Sequence, residues 1–435
     1  MSAQSGGAGE RGSGGGRTGP WILAPTAAPA GPWPWWPPGT SGALAWLHAH
    51  GLAGRTVGLG ALDRPATVAL LVAAPLAGCV PVLLNRRLDR ATLRAQTAAA
   101  GAAVLAGHPE HPLGAELVLP ETFGDAPHPP VRTPDGEDPV AALFTSGTTG
   151  DPRPVVLRWR QVRHGAAASV IALGLGRDDR WCGCLPLDHI GGAMAVWRGA
   201  LAGYRLHLHP RFEPEAVADD LDRCTGASLV PTQLHRLLAG ERRWNGLRTV
   251  LVGGAALDGA LAARAAAAGL PVRTTWALSE CAGTVCIDGQ ALPGLVVDVD
   301  GGRLRVGGAT TPDGGLFTTG DLGEIAADGL VRVLGRADEA IVCGGEKIRP
   351  EPIEAWLRGQ PGIRDACVCG EPDAEWGERV VAWLVGDGTD PDLSGLPPLW
   401  RPKAWRWVAE IPVTALGKRS RRALGAAFSR PCPGA

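Results

Sequence analysis

Lysine is nearly missing from this chain: Lys347, Lys403 and Lys418 are its only three, within a Lys+Arg total of 42. Where arginine supplies almost every positive charge, a retained lysine marks a position that calls for a compact ammonium rather than a planar guanidinium. An excess of charge is missing too. Lys+Arg 42 against Asp+Glu 43, a formal net charge of −1, argues against a general nucleic-acid or membrane-surface partner. No apolar run reaches the roughly eighteen residues that suggest a membrane span. The start, Ser2-Ala3-Gln4-Ser5-Gly6-Gly7-Ala8, has no basic segment leading into an apolar core, so neither membrane insertion nor export is expected. The 10 cysteines contain no CxxC pair and no ligand spacing with histidine. Cys182/Cys184 and Cys367/Cys369 recur at period two in apolar runs, as small core residues of strands do. The expectation is reduced, structural thiols in a cytoplasmic protein.

What is present is a chain of 435 residues, 45% hydrophobic, long enough for two or three domains with real cores. The 63 glycines and 38 prolines reflect a coding bias as much as function, so composition alone is a weak guide. Residues 1–19 are Gly/Ser-rich and are expected to be disordered. Trp21 to Pro38 mixes tryptophans and prolines too irregularly for a helix and is expected to pack as extended chain on the first domain. Strand patterns at Thr56–Leu62, Val80–Leu84 and Ala102–Ala106 alternate with helical ones at Ala66–Gly78 and Asp89–Ala100. The alternation continues with strands at Trp181–Leu185, Arg205–Leu208, Ala227–Val230 and Thr249–Val252, and helices at Glu213–Cys224 and Asp258–Ala268. Such a grammar predicts a parallel sheet with crossover helices. Val296–Val306, turning at Gly301-Gly302, reads as a hairpin of an antiparallel subdomain. From Gly335 onward the pattern changes to a compact βαβ-like unit.

The most informative stretch is Phe144 to Pro154, Phe-Thr-Ser-Gly-Thr-Thr-Gly-Asp-Pro-Arg-Pro. It follows an apolar strand-like run, Val140–Phe144, and offers hydroxyls at Thr145, Ser146, Thr148 and Thr149. Gly147 and Gly150 let backbone N–H groups converge on a bulky anion, which makes the stretch a phosphate cradle. It lacks the Gly-Lys-Ser/Thr ending of a Walker loop, so the usual NTPase reading does not fit.

This run resembles the signature loop of the adenylate-forming superfamily, which includes acyl-CoA synthetases, aryl-CoA ligases, adenylation domains and luciferases. Where that family usually has Lys-Gly after the proline, this chain has Arg153-Pro154. Arginine keeps the charge and adds a fork suited to phosphate, whereas Pro154 removes a backbone donor and stiffens the loop's exit. The resemblance implies an α/β protein with a large N-terminal domain of parallel-sheet α/β layers and a small β subdomain (20–334). A hinge at 335–338 and a small, mobile α+β C-terminal domain (339–435) follow.

Further matches come in the family's order. They imply ATP, Mg²⁺ and coenzyme A as reactants and cofactors, and a small carboxylic acid as partner. Thr145, Ser146, Gly147, Thr148, Thr149, Gly150 and Arg153 would hold phosphate. Gly254 and Ala255, in Val252-Gly253-Gly254-Ala255, would lie along the adenine ring. Thr275-Trp276-Ala277-Leu278-Ser279-Glu280 is similar to the family's aromatic-Gly-x-Thr-Glu motif. Trp276 would stack on adenine, Ser279 bond the α-phosphate and Glu280 ligate Mg²⁺. Thr319-Gly320-Asp321 and Gly335-Arg336-Ala337-Asp338 imply Asp321 on the ribose, Arg336 on sugar or phosphate, and Asp338 as hinge. Cys343 to Ile348 resembles the loop lining the thiol tunnel, with Gly345 and Lys347 in it. Pro412 to Lys418 matches the closing motif, which would bring Lys418 to the carboxylate and phosphate. Thr145, Glu280, Arg336 and Lys418 are the implied catalytic set.

Three segments resemble one branch of the superfamily, the 2-succinylbenzoate–CoA ligases of menaquinone biosynthesis, especially the short actinobacterial form. They are Leu185–Gly192, Ser228–Leu234, and Thr275–Cys281 running on to Cys286–Gly289. His189, Ser228, Thr232 and Gly254 are the implied substrate contacts. Two alternatives stay open: a ligase or stand-alone adenylating enzyme for another acid, and a catalytically silent nucleotide-binding homologue. A homodimer is a further expectation.

Overall fold

The computed structural model describes residues 10–11, 21–28, 32–60, 64–85, 88–102, 104–107, 116–145, 153–240, 242–411 and 421–428. The chain divides into two compact units. The first holds residues 1–298, 305–317 and 327–331; the second holds 299–304, 318–326 and 332–435. No helix among the described residues is long and apolar enough to cross a membrane.

In the first unit the alternating patterns become two sheets. One orders its strands Arg153–Arg158, Pro139–Thr145, Val80–Leu83, Thr56–Gly60, Val104–Gly107 and Leu117–Val118. All neighbours are parallel except the first pair, which is antiparallel. Helix Pro65–Leu76 crosses between two of these strands with all twelve residues buried. Of its two prolines, Pro65 lies in the first turn, where a missing N–H costs nothing, and Pro75 lies in the last turn.

The second sheet is larger. Its parallel centre is Arg205–Leu208, Arg180–Gly183, Gly226–Leu229, Thr249–Val252 and Val272–Leu278, in that order. Antiparallel strands flank it: Trp21–Leu23 on one side, Gly283–Ile287 and Gln290–Ala291 on the other. The period-two alternation splits its side chains cleanly. Trp181, Leu206, Leu208 and Leu251 enter one core with helices Trp159–Leu173 and Ile190–Ala202. Cys182, Ala227, Val250 and Val252 enter another with helices Pro214–Leu221, Pro231–Leu237 and Gly259–Ala267. Both faces of the parallel strands are therefore covered, which is what their continuous apolar runs require.

The tryptophan-rich start packs in extended form, as expected. Glu10–Arg11 pair with Trp21–Ile22, and Thr26–Ala27 pair with Trp35–Trp36. Trp33 is fully buried edge-on against Trp159, with ring centroids 4.8 Å apart. The rest of residues 1–19 lies outside the described residues.

The hairpin at Gly301-Gly302 is present. Leu295–Asp300 and Arg303–Gly308 are neighbours in a four-stranded sheet that continues with Leu316–Ile325 and Val331–Arg336. Both glycines take positive φ (54° and 76°), which a turn of this kind needs.

In the second unit, hairpin Ile341–Cys343/Glu346–Ile348 adds to the long antiparallel pair Ile363–Asp373/Gly377–Gly386. Strand Ala404–Trp407 joins it in parallel. Helix Pro350–Arg358 packs on this sheet, burying Ile353 and Leu357 with Ile341, Ile348 and Val368. Short helix Arg421–Ala427 follows at the end of the described chain. Arg421 anchors it: the guanidinium is paired with Glu339 and with both oxygens of the buried Glu354, at 3.2 and 3.1 Å. Burial opposes this cation, but the Glu354 and Glu339 charges outweigh it and raise its pKa further.

Candidate active site

In open α/β sheets, ligands sit beyond the carboxyl ends of the parallel strands. Most of the sequence candidates of the first unit lie there. Strand Arg180–Gly183 leads through Leu185-Pro186-Leu187-Asp188 to His189, immediately before helix Ile190–Ala202. The turn is held tight by Gly192, where a Cβ would lie 2.1 Å from the Pro186 carbonyl oxygen. His189 is partly exposed, with Nε2 3.9 Å from buried Asp188 Oδ2.

On the neighbouring strand, Ser228 is buried and Thr232 is exposed in the first turn of helix Pro231–Leu237. Next comes Thr249–Val252, ending in Gly253 and Gly254. A Cβ on Gly253 would strike Thr275 Oγ1 at 2.1 Å, and Gly254 holds φ +80°. Both positions exclude ordinary side chains, which leaves Gly254 and Ala255 as an exposed, low-relief shelf beside strand Val272–Leu278.

That strand carries the third candidate group. Its pairing register with Gly283–Ile287 shifts between Trp276 and Ala277. Such irregularities re-aim side chains next to functional sites. Trp276 is half-buried. Ser279 and Glu280 occupy the 3₁₀ turn Ser279–Cys281, both half-buried, while Cys281 behind them is fully buried and its thiol is pushed up to about 12 by burial and the Glu280 charge.

A residue that motif reading passed over holds this turn. Gln161, 1% exposed in the first turn of helix Trp159–Leu173, donates from Nε2 to the Glu280 and Thr310 carbonyls, each at 2.8 Å. Its Oε1 accepts the Arg158 N–H at 2.9 Å. Beside it, Arg160 donates to the carbonyls of Ala309, Thr311 and Pro312 at 2.8, 2.7 and 2.6 Å. A glutamine three residues into a helix is a recognisable capping signal, but its second partner lies more than a hundred positions away. No sequence pattern points to it.

The hydroxyl-rich run joins two antiparallel strands, with Thr145 opposite Arg153 at the last described pair. Thr145 is half-buried. Ser146, Gly147, Thr148, Thr149 and Gly150 lie outside the described residues, as does the side chain of Arg153. Strand Arg153–Arg158 leads directly into the helix that bears Gln161, so one continuous segment connects the run to the backbone of Glu280.

In the second unit, Asp321, Arg336 and Asp338 come together. Arg336 Nη1 donates to the buried Asp321 at 3.1 Å, while Nε and Nη2 donate to Asp338 at 3.0 and 3.1 Å. Burial works against the guanidinium, yet the Asp338 hydrogen bonds and the Asp321 charge raise its pKa above the usual arginine range. The fit is close: a Cβ at Gly320 would lie 2.7 Å from Arg336 Nη2. Thr319 completes the support, bonding the Leu304 carbonyl at 2.8 Å and receiving the Asp321 N–H at 3.0 Å. Gly345, φ +83°, and exposed Lys347 belong to the Ile341–Cys343/Glu346–Ile348 hairpin. Lys418 lies outside the described residues, three positions before the anchored Arg421.

Doubly covered parallel strands whose carboxyl-end turns carry the candidate residues, with a smaller second unit, define an α/β fold of the ligand-binding type. The AMP-binding enzyme family model matches residues 43–329, and the model for the AMP-binding enzyme C-terminal domain matches 352–418. The chain belongs to the AMP-binding enzyme family.

Among curated relatives, it is similar to the 2-succinylbenzoate–CoA ligase of Bacillus licheniformis, 31% identical over 87% of this chain and 91% of that one. It is likewise similar to the probable 2-succinylbenzoate–CoA ligase of Mycobacterium tuberculosis, 33% identical over 67% of this chain and 85% of that one. Among solved structures, the o-succinylbenzoate CoA synthetase of Bacillus subtilis, in complex with its acyl-adenylate intermediate, shares the fold. Its TM-score is 0.80 at 24% identity, covering 89% of this chain and 91% of that one.

Proposed function

We infer that this chain is an AMP-forming acid–CoA ligase that converts 2-succinylbenzoate, ATP and coenzyme A to 2-succinylbenzoyl-CoA, AMP and pyrophosphate through an acyl-adenylate, a step of menaquinone biosynthesis. The observation that carries this is the 31% identity, over 87% of this chain, to a relative bearing that activity's name. In the first half-reaction the acid's carboxylate attacks the α-phosphorus and expels pyrophosphate. In the second, the coenzyme A thiol attacks the acyl carbon and expels AMP.

The residues present suit these roles. The flat Gly254-Ala255 shelf leaves room for a purine, and Trp276 beside it offers an aromatic face. Glu280, its backbone clamped by Gln161, presents a carboxylate for Mg²⁺, and the bound ion would neutralise phosphate charge. Thr145 and the hydroxyls that follow it hold phosphate; Asp321 takes the ribose hydroxyls, with Arg336 ordering it. Lys418 supplies a compact cation where charge develops at the α-phosphorus. Asp338 is the hinge about which the C-terminal domain (339–435) turns from the large domain (20–334), so that Gly345 and Lys347 line the thiol's path in the second step. His189, Ser228 and Thr232 contact the acid, whose second carboxylate must be bound without reacting. The nine cysteines among the described residues, all free and buried, support a reducing, cytoplasmic setting. A homodimer is the proposed assembly.

The test uses the purified full chain with Mg²⁺-ATP, coenzyme A and a panel of acids including 2-succinylbenzoate, benzoate and malonate. Pyrophosphate release and thioester mass should both depend on 2-succinylbenzoate. Preference for another acid, or transfer to a carrier-protein thiol but not to coenzyme A, would overturn the assignment.

A further inference from the structure

Five side chains with metal-binding atoms converge inside the first unit, on the face of the large sheet covered by helix Pro214–Leu221. They are Cys182, His207, His209, Asp220 and Cys224. Cys182 and His207 are paired neighbours on adjacent parallel strands, and His209 follows the second strand. Asp220 comes from the last turn of the helix and Cys224 from just beyond it. All are essentially removed from solvent: His207, His209 and Asp220 side chains are 3%, 1% and 2% exposed, and Cys182 and Cys224 are 0% and 1%.

Their donor atoms form two triplets that share Asp220. Cys182, His209 and Asp220 offer atoms all within 4.8 Å of one another, and so do His207, Asp220 and Cys224. His207 Nδ1 lies 2.7 Å from Asp220 Oδ1, and His209 Nε2 lies 3.1 Å from Oδ2. Cys224 Sγ is 3.6 Å from both His207 Nδ1 and Asp220 Oδ2. A tetrahedral zinc with Zn–N near 2.0 Å and Zn–S near 2.3 Å separates its nitrogen and sulfur ligands by about 3.6 Å. The two Cys224 edges thus already have the required length, whereas the nitrogen–oxygen edges, at 2.7 and 3.1 Å, fall short of a tetrahedral edge by roughly 0.2–0.6 Å.

We propose that His207, Asp220 and Cys224 hold a thiophilic divalent cation of the zinc class in a buried structural site, with Cys182, paired with His207 and within reach of Asp220, turning in as the fourth ligand. Mixed thiol and imidazole donors select zinc over magnesium or calcium, which prefer oxygen. Structural zinc sites are closed, four-coordinate and free of bound water, as full burial demands. Loading releases the two thiol protons and the His207 Nδ1 proton.

The site is offset from the nucleotide side of the candidate active site, while Cys182 is paired with Ala227, next to the Ser228 assigned to the acid. Strands Arg205–Leu208 and Arg180–Gly183 are four and three places from the Trp276 strand in the sheet, roughly 15 to 19 Å at the usual spacing. Cys182 also faces the opposite core from Trp181. The ion would therefore tie the helix to the sheet edge and take no part in adenylation.

The experiment uses the reduced, full-length chain. Metal analysis of protein grown with zinc should find about one zinc per chain. Chelator-treated protein titrated with Co²⁺ should develop a saturable thiolate-to-cobalt absorption, lost in Cys182→Ser and Cys224→Ser. To keep the test independent of how well either variant folds, X-ray absorption of the cobalt-loaded wild type provides a second reading, expected to show a mixed shell of sulfur with nitrogen and oxygen. Absence of the thiolate band in the wild type, or a shell of nitrogen and oxygen alone, overturns the proposal and leaves the cluster as a hydrogen-bonded core network. Neither result bears on the ligase assignment, which is read by thioester formation.

Discussion

Gln161→Leu isolates the clamp on the Glu280 turn. Leucine nearly matches glutamine in volume, so little cavity forms, but the carbonyls of Glu280 and Thr310 both lose their 2.8 Å donor, the first in a partly buried and the second in a buried setting. An unsatisfied buried polar group costs about 1–3 kcal/mol, so the pair predicts a loss of about 2–6 kcal/mol. At roughly 2–4 °C per kcal/mol for a unit of this size, a 3 kcal/mol loss lowers the unfolding midpoint by about 6–12 °C. The freed turn also displaces Glu280, and an ångström at such a group can cost about 100-fold in rate. Thermal unfolding and acid-dependent pyrophosphate release, measured on the same preparation, read the two effects. Gln161→Glu sharpens the test. Both partners of Nε2 are acceptors, so a carboxylate has nothing to donate and should be at least as harmful as leucine despite its closer shape. A leucine variant that melts within about 1 °C of the wild type and keeps its full activity would refute the clamp.

Lys418→Ala should abolish pyrophosphate release while thioester formation from supplied acyl-adenylate stays largely intact; equal loss of both steps would remove the lysine from adenylation. Gly320→Ala places a methyl 2.7 Å from Arg336 Nη2, forcing the guanidinium off Asp321 and Asp338. Its KM for ATP should rise several-fold, and an unchanged value would argue against Asp321 in ribose binding. Asp179 is buried, which pushes its pKa up, but Arg248, Thr225 and the Gly176 N–H outweigh this and hold it below the usual carboxylate value. Its stabilisation is therefore complete above an unfolded pKa near 3.8 and is lost as pH falls through the lower folded value. Asp179→Asn should flatten the acid limb of the stability profile, and a parallel, merely shifted limb in the variant would contradict the linkage.

Periodicity made the α/β architecture legible. Unbroken apolar runs such as Val80–Leu83 and Thr249–Val252, alternating with helical patterns, left a doubly covered parallel sheet as the natural solution. Boundaries were less visible. The helical pattern of 213–224 continues to Cys224, but the helix stops at Leu221, and Cys224 turns into the buried polar cluster instead of extending an amphipathic face. Strand pairing order was not legible either. Placing Arg205–Leu208 outside Arg180–Gly183, against Trp21–Leu23, depends on contacts between segments far apart in the chain.

The division between sequence and fold follows from range. Local conformation and short motifs depend on neighbours a few positions away, so the amino-acid string alone determined the alternating elements, the positive-φ glycines of the turns and the order of the candidate nucleotide-binding segments. Coordination and clamping depend on atoms meeting across the core. Only the tertiary structure could set Gln161 against the backbone of Glu280, or gather Cys182, His207, His209, Asp220 and Cys224 into one pocket from spacings that resemble no metal motif.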